Sequence, residues 1–324
     1  MNVLVAIDDS SYSDAAVASI AARQWPADTK FLLYSVVPDY DKLGMLLSAA
    51  STQKLRFLEE EQEREAIFKL LTRCAELRRA LPEVTVTFAV GYGHPAEEII
   101  DTAISWGAQL IVMGSHGRRN VQLYAFGSVT SQVIEKIPCS LEIIRVFNRT
   151  GKSWQDQRRI LICFDGSDNS RAAIDWVAHS TWSAHQEFAI VSVLDEVDDD
   201  KIGCLQMFHQ RKATQLKNAA MAARQDELDW HVERLRLILP GNPVVGQVLY
   251  GYAADLILEL AEDFSADLIV IGAHSQQKQV DASTGSVAKR VACFSRCCVK
   301  IVLADETSLF DDSVISCPLI SDSA

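Results

Sequence analysis

The chain has 324 residues, of which 48% are hydrophobic and 23% charged, with a net charge of −12. That balance is globular rather than disordered, and the length suits two ordinary domains. The acidic surplus argues against non-specific nucleic-acid binding, which needs excess Lys and Arg to meet phosphate.

No apolar run reaches the roughly 18 residues of a membrane span, so no membrane partner is expected. The first residues, Met1 to Asp9, turn acidic after one short apolar run and lack the pattern of a secretory signal, so a cytoplasmic location is expected. The eight cysteines form no CxxC pair and the seven histidines no HxxxH pair. Reduced core thiols are expected, and no metal site.

In chain order, residues 3–7 read as a buried strand and Ser13 to Arg23 as a helix. Phe31 to Val37 is a second strand, stopped by Pro38. A long charged helix is predicted from about Leu46 to Leu81, then a strand from Val84 to Val90. Gly93-His94-Pro95-Ala96 opens a helix, with Pro95 suited to the first turn. A strand at Leu110 to Met113, a helix at Gly127 to Ile137 and a strand at Leu141 to Val146 complete the unit.

The unit then repeats. Val3-Leu4-Val5-Ala6-Ile7-Asp8-Asp9-Ser10 matches Ile160-Leu161-Ile162-Cys163-Phe164-Asp165-Gly166-Ser167 at an offset of 157. Leu110 to His116 matches Leu268 to His274 at 158, and Tyr92-Gly93, Gly127-Ser128-Val129 and Cys139 recur at the same spacing. Strands are predicted again near 160–164, 188–194, 244–249, 268–271 and 299–303. The chain therefore reads as a duplication: one domain over residues 1–150, a polar linker near Asn148 to Gln157, a second domain over 157–305, and a flexible tail over 306–324. Strands alternating with helices predict α/β domains, each with a five-stranded parallel sheet.

Ligands of open α/β sheets bind beyond the carboxyl ends of the strands. Two such ends stand out. The first carries Asp8-Asp9-Ser10. The fourth carries Gly114-Ser115-His116-Gly117-Arg118-Arg119, followed by Gly127-Ser128. Gly114 and Gly117 let a backbone turn tightly and approach a ligand. Gly127-Ser128 opens a helix whose free N–H groups favour an anion, and Arg118 and Arg119 add charge-assisted donors. Asp8 is placed to accept from an adenine amino group or a ribose hydroxyl. The plain alternatives are a simple turn at Gly114 and Gly117, a helix cap at Ser128, a helix cap at Asp8 and a solvated loop at the arginines.

Taken together, these residues resemble the universal stress protein family. Its ATP-binding members carry G-x-x-G, nine residues, then G-[S/T], and Gly114-x-x-Gly117 followed after nine residues by Gly127-Ser128 matches without a gap. The resemblance implies two tandem Rossmann-like domains of the adenine nucleotide alpha hydrolase-like kind. It also implies roles for single residues: Asp8 and Val36 beside adenine and ribose, Met113 and Gly114 lining the nucleoside site, and His116, Gly117 and Arg118 along ribose and phosphates. Gly127, Ser128 and Val129 are implied to hold the phosphates.

One residue of this half departs from the family pattern. Asp9 stands where a glycine is usual, an extra carboxylate that weakens binding unless Mg²⁺ shields it. The second half keeps Asp165, Gly272, Gly285 and Ser286 as a possible degenerate site, but Ser275 replaces the second glycine and the arginines are gone.

The resemblance further implies an ATP-binding regulatory protein of the stress response, with ATP, possibly with Mg²⁺, held mainly by the first half. No phosphate-loop lysine or evident general base is present, so an enzyme is not expected. A slow ATPase and a scaffold with a protein partner and no nucleotide remain as alternatives. Single-domain members pair through the fifth strand. The two halves are accordingly expected to pack as an internal pseudo-dimer, with Glu142 facing Lys300 if the register allows, and a homodimer of the whole chain is possible.

Overall fold

The structure is a computed structural model that describes residues 1–39, 49–115, 127–145, 159–194, 206–273 and 284–304. The first half runs β1 (Asn2–Ala6), α1 (Ser11–Ala21), β2 (Lys30–Val37), α2 (Ala49–Ala80), β3 (Thr85–Tyr92), α3 (Pro95–Trp106), β4 (Leu110–Gly114), α4 (Ser128–Glu135) and β5 (Ser140–Ile144). The second half repeats the order as β6 (Arg159–Cys163), α5 (Asp168–His179), β7 (Glu187–Leu194), α6 (Gln206–Ile238), β8 (Val244–Tyr250), α7 (Ala253–Asp263), β9 (Leu268–Gly272), α8 (Ser286–Phe294) and β10 (Cys298–Val302). Every predicted strand is present, with ends shifted by one or two residues. The linker and the tail lie outside the described residues.

The strands form one ten-stranded sheet in the order β3-β2-β1-β4-β5-β10-β9-β6-β7-β8. Each half contributes five parallel strands, and the two meet at a single antiparallel join between β5 and β10. The order on one side of the join reverses on the other, which gives the halves an approximate two-fold relation. Val3, Val5 and Ile7 face the layer that holds Val17 and Ile20 of α1 and Leu70, Cys74 and Leu77 of α2. Leu4 and Met113 face the layer that holds Ala96, Ile99 and Ala103 of α3 and Val133 and Ile134 of α4. The alternation follows from the two-residue period of a strand covered on both faces.

The join carries side-chain and backbone contacts beyond the ladder. Its register sets Lys300 opposite Glu142, with Val299 opposite Ile143 and Ile301 opposite Leu141. The Leu303 N–H donates to Ser140 Oγ at 3.0 Å, and the Arg145 guanidinium donates to Ala292 O at 2.9 Å at the end of α8. Lys289 Nζ lies 2.5 Å from a Glu135 carboxylate oxygen. The six described cysteines are all free thiols, five of them buried. No helix among the described residues is long and apolar enough to cross a membrane.

Candidate functional site

In each half the strand order changes direction between β1 and β4, or between β6 and β9, which opens a crevice at the carboxyl ends of the strands. The first-half crevice is met by the N-termini of α1, α3 and α4. These three helix ends differ chemically.

The start of α1 is already satisfied. The Ser10 hydroxyl accepts from Ser13 N–H at 3.2 Å and caps the helix. Asp8 does not cap the helix itself. Its Oδ1 accepts from Ser10 N at 3.0 Å and from Ser10 Oγ at 2.5 Å, so it braces the capping serine. The second carboxylate oxygen of Asp8 makes no hydrogen bond among the described residues. The start of α3 places Pro95, which has no N–H, in the first turn with Glu97 and Glu98. That end repels an anion.

The start of α4 is of the opposite kind. Its N-cap is Gly127, which supplies no side-chain cap, and its first turn holds no acid. The opening N–H groups at Ser128, Val129 and Thr130 therefore receive nothing from the cap residue, and the dipole end stays positive. This helix is held tightly to the strand: Gly127 N donates to Ser115 O at 3.2 Å, and Thr130 Oγ1 donates to Gly114 O at 3.1 Å. Ser128 is exposed and Val129 half-buried. Thr130 is a site-building residue that sequence reasoning missed. A threonine two positions after the Gly-Ser pair was the available signal.

Val36 lies near the end of β2 and packs against the same layer as buried Met113, so the two share one face of the sheet. His116, Gly117, Arg118 and Arg119 lie outside the described residues. Gly114 has a different reason from the predicted one. It is the last residue of β4, and a Cβ there would lie 2.6 Å from Tyr12 Cβ and 2.7 Å from Tyr12 C. The missing side chain admits the first turn of α1. Gly272 repeats this: a Cβ would lie 2.8 Å from Asn169 C and from Ser170 N at the start of α5.

Asp9 has a partner in the structure. Its carboxylate pairs with Lys69 of α2, which compensates the extra charge. Beside it Arg73 pairs with Asp14 and with Glu76. Asp9, Asp14, Lys69 and Arg73, with Ile7 and Asp8, line a hollow of about 120 Å³ on the α1–α2 side of the sheet. Of the predicted site residues that are described, only Asp8 borders it, and Val36 and Met113 turn to the opposite face. Farther out, Tyr92 at the end of β3 hydrogen-bonds Glu63. That bond and burial push its hydroxyl pKa up to about 12.

The second half keeps the frame. Asp165 Oδ1 accepts from Ser167 N at 2.9 Å, Ser167 caps α5, and Gly285 opens α8 with no side-chain cap. Gly285 N donates to Ala273 O at 2.6 Å, and Ser286 is exposed. Ala288 replaces Thr130, so the side-chain tie to the strand end is lost. Ser275 and its loop lie outside the described residues.

The described residues contain no group of three or more His, Cys, Asp or Glu side chains able to hold a metal ion.

The family model of the universal stress protein family matches residues 1–145 and again 157–302. A universal stress protein of Methanocaldococcus jannaschii is 28% identical over 142 residues, which is 41% of this chain and 88% of that protein. One from Synechocystis is 27% identical over 150 residues, 44% of this chain and 96% of its own length. Each thus spans about one of the two repeats. Among solved structures, a universal stress protein from Archaeoglobus fulgidus shares the fold over 94% of this chain and 98% of its own, with a TM-score of 0.57 at 18% identity. The chain belongs to the universal stress protein family, as a tandem of two family domains.

Proposed function

We propose that the first half binds ATP and that the chain acts as a nucleotide-responsive regulatory protein rather than an enzyme. The observation that carries this reading is the start of α4. Of the three helix N-termini at the first-half crevice it alone is uncapped by a side chain, free of acids and tied to the strand end. A phosphate there meets N–H groups and a positive dipole end, which is the ordinary chemistry of anion binding at a helix start. Asp8, with one carboxylate oxygen still open, is suited to a ribose hydroxyl or an adenine amino group. Val36 and Met113 offer the apolar wall that a nucleoside needs. Mg²⁺ bound with the nucleotide would offset phosphate charge near the strand end.

The second half is proposed to bind ATP weakly or not at all. Its helix start is open in the same way, but it lacks Thr130, the arginines and the second glycine.

Thermal unfolding with ATP tests the assignment. Nucleotide at about 100 times its dissociation constant adds roughly 2.7 kcal/mol to the domain that binds it. Gly127 and Gly285 have φ near −58° and −57°, which any residue adopts, so valine there obstructs the helix start without backbone strain. Gly127→Val is expected to abolish the ATP shift and Gly285→Val to leave it. Equal shifts in wild type and Gly127→Val reject the site. Turnover with Mg²⁺ that is lost in Gly127→Val favours a slow ATPase instead, and no shift at any concentration favours a scaffold.

A further inference from the structure

The join between the halves contains a buried charge cluster that the nucleotide reading does not use. Glu142 and Lys300 are both 0% exposed. Arg23 NH1 donates to Glu142 Oε2 at 2.8 Å, and Arg23 NH2 bonds the other oxygen and Ser19. Lys300 Nζ stands 4.5 Å from the centroid of the Trp176 ring. Burial pushes the Glu142 carboxyl up, but the charge and hydrogen bonds of Arg23 and the charge of Lys300 outweigh it and hold it below its ordinary value.

Glu142 and Lys300 are equivalent positions of the repeat, as are Leu141 and Val299, and Ile143 and Ile301. The join is therefore centred on the 142/300 pair. Two copies of β5 joined in this register would set Glu142 against Glu142. Two copies of β10 would set Lys300 against Lys300. The flanking residues are aliphatic in both strands and discriminate nothing. Among the three residue pairs of the ladder only the central one differs in charge between the two edges.

We propose that the buried Glu142–Lys300 pair selects the partner of the second-half edge: β10 accepts the carboxylate-bearing strand of a first half and rejects another β10. Like charges facing each other in a dry site are strongly unfavourable, whereas opposite charges with hydrogen bonds are tolerated there. The partner that fits the second-half edge is thus the first half of this chain or of another copy. A homotypic pair of second halves would set two buried lysines together with no Glu142 between them.

The experiment uses the full chain with Lys300→Glu, Lys300→Met and the double variant Lys300→Glu/Glu142→Gln. Scattering reads whether the halves stay together, far-ultraviolet dichroism reads whether they stay folded, and melting reads the loss. Lys300→Glu is expected to give a more extended particle of unchanged helicity, with melting lower by on the order of 10 °C. Adding Glu142→Gln should restore compactness and most of the loss, because Arg23 then faces one carboxylate again. Lys300→Met should remain compact. If Lys300→Met opens the particle as fully as Lys300→Glu, or if the double variant is worse than Lys300→Glu alone, Lys300 acts by packing and the proposal falls. Should Lys300→Glu fail to fold, a Glu142→Gln and Lys300→Gln cycle decides: coupled losses support the proposal and additive losses overturn it.

Discussion

The two halves share a backbone and differ in what fills the α1–α2 side of the first strand's end. In the first half Ile7 leaves room for a hollow ringed by Asp9, Asp14, Lys69 and Arg73. In the second half the equivalent of Ile7 is Phe164, and the equivalent of Arg73 is His231. The two rings pack at 4.7 Å between centroids, with the Arg224 guanidinium 5.5 Å from Phe164. The ion pairs are redrawn as well: Arg73–Asp14 in the first half becomes Arg171–Glu227 in the second, with the charges exchanged between helices. The difference teaches that the repeat preserves contacts made by backbone and small residues. Arg78 and Arg236 bond the Val86 and Val244 carbonyls alike, and Ser10 and Ser167 cap alike. Side chains that filled space or balanced charge were free to diverge, because many combinations satisfy the same volume and net charge.

The largest expected effect breaks the comparison by pH. His231 is buried, and its Nδ1 has no hydrogen-bond partner among the described residues. Burial, with the charges of Arg234 and Arg171, pushes its pKa down from 6.5 to about 4. Between those values the unfolded chain binds a proton that the folded chain refuses. Stability from this group is complete above pH 6.5 and is lost as pH falls through the window to about 4, a change of about 3 kcal/mol. His231→Phe should remove that part of the acid loss in denaturant titrations at pH 7 and pH 4.5. An unchanged difference between the two pH values would place the acid sensitivity elsewhere.

A smaller effect sharpens the likeness. Gly114→Ala and Gly272→Ala force a Cβ against the first turns of α1 and α5, at 2.6 Å and 2.8 Å from the nearest atoms. Each is expected to cost about 2 kcal/mol in the absence of nucleotide, as overpacking commonly does. If Gly272→Ala is neutral while Gly114→Ala is costly, packing is not the shared reason for these glycines.

The smallest is the pair of caps. Ser10→Ala and Ser167→Ala each remove a hydroxyl that accepts from the third residue on, and each should cost about 1 kcal/mol. The two losses are expected to match, because each serine caps its helix through the same bond, at 3.2 Å. Chemical denaturation of the two variants checks this, and clearly unequal losses would show that the two caps are not equivalent.

The sequence by itself determined the element order, the duplication and the strand-end position of the candidate site. These rest on local signals: apolar runs of strand length, Pro95 at a helix start, and recurring segments at one spacing. The reason for Gly114 was not legible, because the atom that excludes its side chain belongs to Tyr12, about a hundred residues earlier. Nor was the fate of Asp9, whose compensating Lys69 stands sixty residues away on another helix. The equivalence of Glu142 and Lys300 could be read from the repeat, but their meeting depended on the register of β5 against β10, which no local pattern specifies. Tertiary structure decided these three points for one physical reason. Steric exclusion and charge compensation act between atoms in contact, and chain folding alone determines which distant residues those are.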